Sequence, residues 1–421
     1  MAPVTTSNRL AWLDALRGIG ALAVVAEHLL PWVYPPLRPT FMNIGMYGVV
    51  VFFLVSGYII PASLEGRGDV RAFWTSRLFR LYPLYLLVCA IALLVGLWVP
   101  IREQVPRDAS GVFGHLSMLL DVVHVGGLAD PMWTLSYEMV FYLVVTALFV
   151  KGVHRFSGWY AVAFGALAVV AGLVIGAPWL PGPWPAVVSG IVFAVGMAGL
   201  FSGRFQTAAA LVLGAMALVL LVGSSYVPWF GAAILAMMFT GTAIYRWEKG
   251  TGPLWPVFAA AALVAISPAW AVAAGWWWVQ PPVWITTLVL AGATFWAGRA
   301  LRHRALPRVF VWLGLISYSV YLVHHPILRM VPILFGHMMS KPVWERALLA
   351  AGYLVVLLLV SWATYTWVEA PAQRLGRRLV RRRQTSPAGW PPNGSSSSSS
   401  SWPSSSTPSS SLPSGAGGGA G

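Results

Sequence analysis

Apolar residues in this chain come in runs of membrane length, separated by short polar breaks. Such runs fall near residues 18–33, 44–63, 79–99, 132–150, 158–176, 184–201, 207–224, 228–245, 254–273, 281–299, 308–331 and 347–369. A stretch of this kind can cross a bilayer only as a helix that satisfies its own backbone, or in a closed barrel. The length and number of the runs predict an all-α, polytopic transmembrane helix bundle of ten to twelve spans. Several Pro- and Gly-broken runs in the middle leave that range open. Composition agrees: charged residues are 9% and hydrophobic residues 58% of the 421, against about 25% charged in a typical globular domain.

The net charge is +15. On a soluble chain that would point to nucleic acid. Here the arginines lie in loops between apolar runs, where they orient the chain and meet anionic headgroups, so no nucleic-acid partner is expected. Basic loops (Arg9 and Arg17; Arg67 to Arg80; Lys151 and Arg155; Arg204; Arg246 and Lys249; Arg299 to Arg308; Arg374 to Arg383) alternate with poorly charged ones. That alternation places both termini in the cytoplasm and the protein in the cell (inner) membrane as a multi-pass chain. The first run follows Arg17 without a clean cleavage site, so it reads as a spanning helix and not a signal peptide. The longest loop, 100–131, carries mixed charge with His115 and His124 and should face outside. Residues 1–384 read as one membrane domain. Residues 385–421, rich in Ser, Pro and Gly, read as a disordered cytoplasmic tail.

Ionisable residues within membrane runs are costly, roughly 2.5–3.5 kcal/mol at a helix centre, and mark candidate sites. Only Glu27 and Glu138 among the acidic residues lie well inside apolar runs, with Asp14 and Glu369 at run ends. Arg17 and His28 are eleven residues apart, which is three helical turns plus about 20° and an axial separation of about 16 Å. They share a face, with His28 near mid-membrane if Arg17 lies at the cytoplasmic interface. Asp14 is on that face and can pair with Arg17, whereas Glu27 points about 100° from His28. A lone buried His is commonly a structural hydrogen-bonding residue. An Arg one stripe nearer the mouth instead suits an anionic cofactor reaching in. Arg77 and Arg80 share a face at the start of the third run, as headgroup anchors or as a bidentate phosphate clamp. Glu138 and His324 lie in the outer halves of their runs, and either can be a structural contact. Three titratable groups at one depth would resemble a proton-transfer site. The single cysteine, Cys89, allows no disulfide framework or thiolate metal site, and the histidines are dispersed, so no metal is expected.

Six segments in order resemble the acyltransferase-3 family of bacterial integral-membrane O-acyltransferases: LDALRG with His28, VFFLVSGYII, RLFRLYPLYLL, WTLSYEMVFY, SYSVYLVHHP and WVEAPAQRL. The resemblance covers about Leu10 to Leu375 and is to members without an appended extracytoplasmic hydrolase-like domain. It implies transfer of an acyl group, usually acetyl from acetyl-CoA, to a hydroxyl of a sugar, an envelope glycan precursor or a macrolide-type metabolite. It further implies that His28 is the essential histidine, with Glu138 and His324 as further catalytic positions. Arg17, Arg77 and Arg80, with Asp14, would serve the CoA phosphates. The chain departs from the family pattern in having twelve candidate runs against about ten, and in Glu27, which stands where an apolar or aromatic residue is common. The rival from another class is a transporter or flippase, whose pathway would also carry intramembrane charges. It has no support from any two-half similarity. A reporter active only outside the cytoplasm should be silent when fused after residue 384 and active within the 100–131 loop; the opposite pattern would invert the bundle.

Overall fold

The computed structural model describes residues 11–98, 102–175 and 178–385. Arg9 and residues 386–421 of the expected tail lie outside the described residues. Fifteen helices follow one another: α1 (Ala11–Val33), α2 (Ile44–Arg67), α3 (Val70–Val95), α4 (Ala109–Ser117), α5 (Trp133–Val150), α6 (Ser157–Val174), α7 (Trp184–Ser202), α8 (Gln206–Gly223), α9 (Pro228–Glu248), α10 (Trp255–Ile266), α11 (Ala269–Ala273), α12 (Pro281–Ala300), α13 (Arg308–Phe335), α14 (Val343–Thr364) and α15 (Ala370–Thr385). A π-helical turn, Tyr365–Glu369, joins α14 to α15. No strand occurs among the described residues. Among the described residues ten helices are long and apolar enough to cross a membrane, and α1 and α12, of 23 and 20 residues, run among them.

Helix starts differ from the hydropathy reading where a cap intervenes. The third run begins near residue 79 by apolarity, yet α3 starts at Val70. The Asp69 carboxylate accepts the Arg71 and Ala72 N–H groups at 2.8 and 3.1 Å, while Gly68 ends α2 in the left-handed region at φ 64°. A left-handed glycine followed by an Asp cap is a strong helix boundary. Arg77 and Arg80 therefore sit inside α3, and Arg80 lies about 15 Å along it. Neither is a residue of the helix start.

The basic loops meet at one end of the bundle. Arg246 of α9 pairs with Glu65 of α2 and donates to Ser157 Oγ at 2.7 Å. Glu248 takes Arg299 and Arg302 at 3.5 and 3.2 Å and the Tyr58 hydroxyl at 2.7 Å. At the opposite end residues 102–131 fold into α4 and short 3-10 turns, with Arg102 paired to Asp130. Large apolar side chains such as Leu94, Val170, Val195 and Val219 lie exposed around the outside, as a surface facing lipid requires.

Helix α1 is held between α2 and α13. A Cβ on Gly314 of α13 would lie 1.9 Å from the Asp14 carbonyl oxygen, and one on Gly48 of α2 2.4 Å from that of Gly20. Only glycine permits such backbone approach, a known device for close helix packing in membranes. That contact fixes how α1 presents Arg17 and His28 to α13.

Within the outer loop, Asp121 anchors α5. Its backbone N–H donates to Ser136 Oγ at 2.9 Å, and its carboxylate accepts the Tyr137 hydroxyl. Burial pushes this carboxyl up to about 6, opposed by the Tyr137 hydrogen bond. A carboxyl whose pKa rises on folding holds its proton more tightly in the folded state. Stability should therefore fall as pH rises from the ordinary 3.8 to about 6, and not change further above it. Asp121→Asn, which keeps an acceptor for Tyr137 without the charge, is expected to raise the unfolding midpoint in detergent at pH 7.5 and not at pH 4.

Candidate active site

Two cavities share one wall. The first, of about 60 Å³, is lined by Arg17 of α1, Ser56 of α2, Arg80 of α3, Glu138 of α5 and Ser317 and Tyr318 of α13, among others. The second, of about 370 Å³, lies toward the outer end and is lined by Glu27, His28, Asn43, Asp130, Trp133 and Trp278, among others. Tyr321 and Val49 line both.

The first cavity is a cationic pocket inside the bundle. Arg17 is buried and Arg80 half-buried, and neither guanidinium makes a hydrogen bond or an ion pair to a described residue. Glu138 faces the same space while its carboxylate accepts the Tyr142 hydroxyl at 2.5 Å. Asp14, Glu138 and Arg80 act on Arg17 through their charge, but the expected Asp14–Arg17 ion pair is not formed. The Asp14 side chain does not line the cavity. Arg77 departs further from the expected clamp. Its guanidinium lies over the rings of Phe73 and Tyr142, 5.3 and 5.6 Å from their centroids, so α3 offers one arginine to the cavity and packs the other on an aromatic pair that does not line it.

The second cavity holds the histidines. The His28 ring centroid is 5.3 Å from that of His324 and 5.6 Å from that of His325. Neither ring nitrogen of His28 has a protein hydrogen-bond partner among the described residues. His324 Nδ1 lies 2.7 Å from the Tyr321 carbonyl oxygen. A carbonyl only accepts, so Nδ1 carries the proton, and in the neutral ring Nε2 is left as a bare acceptor. That Nε2 is fully buried without a partner. Glu138 is in the other cavity and does not touch this cluster. The charged neighbours of His28 are instead Asp130, Glu27 and Arg38.

Glu27 has a structural account. It pairs with Arg38 at 2.5 Å and accepts the Gly45 N–H at the start of α2 at 3.3 Å. There a carboxylate suits the exposed amides and the positive end of the helix dipole.

Sequence reading missed four contributors. His325 and Tyr321 were visible in principle, since Tyr321 lies three and four residues before the two histidines and so shares their helix face. Asp130 and Thr134 carried no signal, because only folding brings the outer loop and the first turn of α5 to α1 and α13. Thr134 Oγ1 bonds the Tyr321 hydroxyl at 2.8 Å and donates to the Pro131 carbonyl at 3.0 Å, bracing the shared wall. At the basic end Glu369, in the π turn, accepts Ser319 Oγ at 3.1 Å and Gln373 Nε2 at 3.0 Å and acts on Arg80 through its charge.

An acyltransferase domain profile matches residues 10–366, a span that contains every one of these residues except Glu369 and Gln373. The chain belongs to the acyltransferase-3 family. It is 27% identical over 409 residues to the acyltransferase MdmB of Streptomyces mycarofaciens, covering 90% of this chain and 95% of that one. It is 28% identical over 161 residues to the O-acetyltransferase OatA of Staphylococcus aureus, covering 34% of this chain and 25% of the relative. A putative acetyltransferase of the Acidianus two-tailed virus is 29% identical over 147 residues, 34% of this chain and 40% of its own. No solved structure matches. The fold and the family together describe a multi-pass membrane acyltransferase. In histidine-labelled protein, His324 is expected to give the nitrogen signature of a neutral ring protonated on Nδ1, and His324→Ala to remove that signal alone. An Nε2-protonated ring would contradict the assignment.

Proposed function

We propose that the protein moves an acyl group, acetyl in the simplest case, from acyl-CoA to a hydroxyl of a sugar, an envelope glycan precursor or a macrolide-type metabolite. The reaction would run in the cell membrane with the basic end toward the cytoplasm. The observation that carries this reading is the pair Arg17 and Arg80. Two guanidiniums face one interior cavity without hydrogen-bond or ion-pair partners among the described residues, one tyrosine away from a histidine cluster. Buried donors of this kind call for an anionic ligand, and a guanidinium matches phosphate oxygens in a bidentate fork. Membership in an acyltransferase family favours transfer over the transporter reading.

In this scheme Arg17 and Arg80 bind a phosphate of the donor, and the acyl-bearing arm passes the Tyr321–Val49 wall toward His28. His28 takes the proton of the acceptor hydroxyl. The oxygen attacks the thioester carbon, the C–O bond forms and the C–S bond breaks. The proton held on His28 then goes to the departing sulfur, so that an ester and CoA thiol leave. His324, whose ring centroid is 5.3 Å from that of His28, would limit how the His28 ring turns by packing beside it. Arg77 packs on Phe73 and Tyr142, and Glu138 balances the charge of the arginine pocket. Asp14 completes the surroundings of Arg17 from outside the cavity.

The test is CoA binding and acetyl transfer by purified variants in detergent. Arg17→Gln and Arg80→Gln each remove a charge-assisted bond to phosphate, about 1.5–3 kcal/mol. CoA binding should weaken about ten- to hundredfold. His28→Ala should keep CoA binding while the rate falls by about 10²–10⁴. Full turnover in a well-folded His28→Ala protein would remove the base from the scheme.

A further inference from the structure

A third cavity reaches the histidine cluster from the lipid side. It measures about 220 Å³ and lies between the outer halves of α3 and α13, with Ile91, Val95, Met330 and Ile333 among its apolar walls. His325 lines it, and the same His325 ring is 5.6 Å from His28. The groove therefore ends one side chain from the proposed base. Its apolar walls are partly exposed, Ile91 by 50% and Ile333 by 49%, so it opens toward the acyl chains and away from the aqueous ends.

Two arginines stand at its polar margin, Arg102 and Arg329. Arg102 is neutralised by Asp130 and also donates to the Gly127 carbonyl at 3.0 Å. Arg329 has no hydrogen bond or ion pair to any described residue. It lies about 31 Å along α13 from Arg308, close to one hydrocarbon thickness of about 30 Å. That depth is the level of the far headgroups. An apolar trough with an uncompensated guanidinium at headgroup level and a histidine at its inner end matches one kind of molecule.

We infer that this groove receives the acyl acceptor as an amphiphile, with its apolar chain along α3 and α13, an anionic phosphate at Arg329, and a headgroup hydroxyl directed past His325 to His28. The inference rests on the acyl-transfer reading above and names the acceptor class that the reading leaves open. The donor and the acceptor then approach the cluster from different sides, the donor past Tyr321 and the acceptor past His325.

The full chain is reconstituted in nanodiscs of equimolar phosphatidylcholine and phosphatidylglycerol, the latter carrying chain, phosphate and hydroxyl together. The lipids it retains are then identified by native mass spectrometry. Phosphatidylglycerol should be enriched over phosphatidylcholine. The enrichment should fall about fivefold in Arg329→Gln, the loss of one basic side chain at a headgroup, and fall again in Ile91→Trp, which fills the trough. Arg329→Lys should largely restore it. Equal retention of the two lipids, or enrichment unchanged in Arg329→Gln or Ile91→Trp, overturns the site. In native membranes given labelled acetyl-CoA, the label should enter material extracted into organic solvent; a product confined to water overturns the acceptor role. CoA binding in the same nanodiscs is scored separately. Its absence strikes the donor reading, while lipid retention still decides the groove.

Discussion

Two guanidiniums that no described residue hydrogen-bonds or ion-pairs, inside a bundle of apolar helices, are the constraint around which this structure is arranged. Each such charge costs about 2.5–3.5 kcal/mol at a helix centre, and a fold that needed only to be stable would replace them with apolar groups. Arg17 is instead kept close enough to Arg80 to feel its charge, with Glu138, Asp14 and Glu369 acting on the pair only through their charge. The carboxylates hold the pocket near balance without occupying the donors. Glu369 is itself committed to Ser319 and Gln373, and Glu138 to Tyr142. The N–H forks of both arginines are left for something that enters.

The tyrosine wall explains how one bundle can keep that cationic pocket apart from the histidine cluster. Tyr321 belongs to both at once. Its hydroxyl is tied to Thr134 of α5, its ring meets Phe52 of α2 edge-on at 5.5 Å, and its carbonyl holds the Nδ1 proton of His324. Movement of Tyr321 that opened a path between the cavities would disturb the group that fixes the His324 tautomer. In the proposed scheme, passage and base orientation would thus be coupled through one residue. Pro326, which has no N–H to offer Leu322, lies two residues beyond His324 and loosens the helix there, while Tyr353 of α14 supports the His324 carbonyl at 3.0 Å.

Much of this architecture was legible in the sequence because membrane folding is dominated by one term. Runs of apolar residues had to be helices, loop arginines had to gather at one end, and the eleven-residue step from Arg17 to His28 had to place both on one stripe of α1. Helix boundaries were less legible, since they depend on caps. Asp69 and Gly68 begin α3 nine residues before apolarity does, and that shift moved Arg80 from the headgroups into the core. What pairs with what was least legible. Arg77 and Arg80 are equivalent by spacing, yet one packs on Phe73 of α3 and Tyr142 of α5 and the other faces a cavity. Asp14 and Arg17 share a face without forming the pair that spacing allowed, because the Asp14 backbone is the part pressed against Gly314.

Glu27 shows why an intramembrane charge must be placed before it is interpreted. By sequence it is adjacent to His28 and inside an apolar run, which would make it a natural partner for that histidine. In the fold it turns to the start of α2 and to Arg38, and Arg38 in turn lies over the Trp277 ring at 4.2 Å. The chain from α1 through Glu27 and Arg38 to Trp277 closes the outer rim of the His28 cavity with a charge pair and an aromatic face. Glu27 is thus satisfied while the neighbouring His28 is not, and that difference separates them by role. The Glu27 carboxylate is already occupied by a helix start and a guanidinium. An imidazole with no protein partner, opening into a cavity of about 370 Å³, has its lone pair available for an incoming hydroxyl.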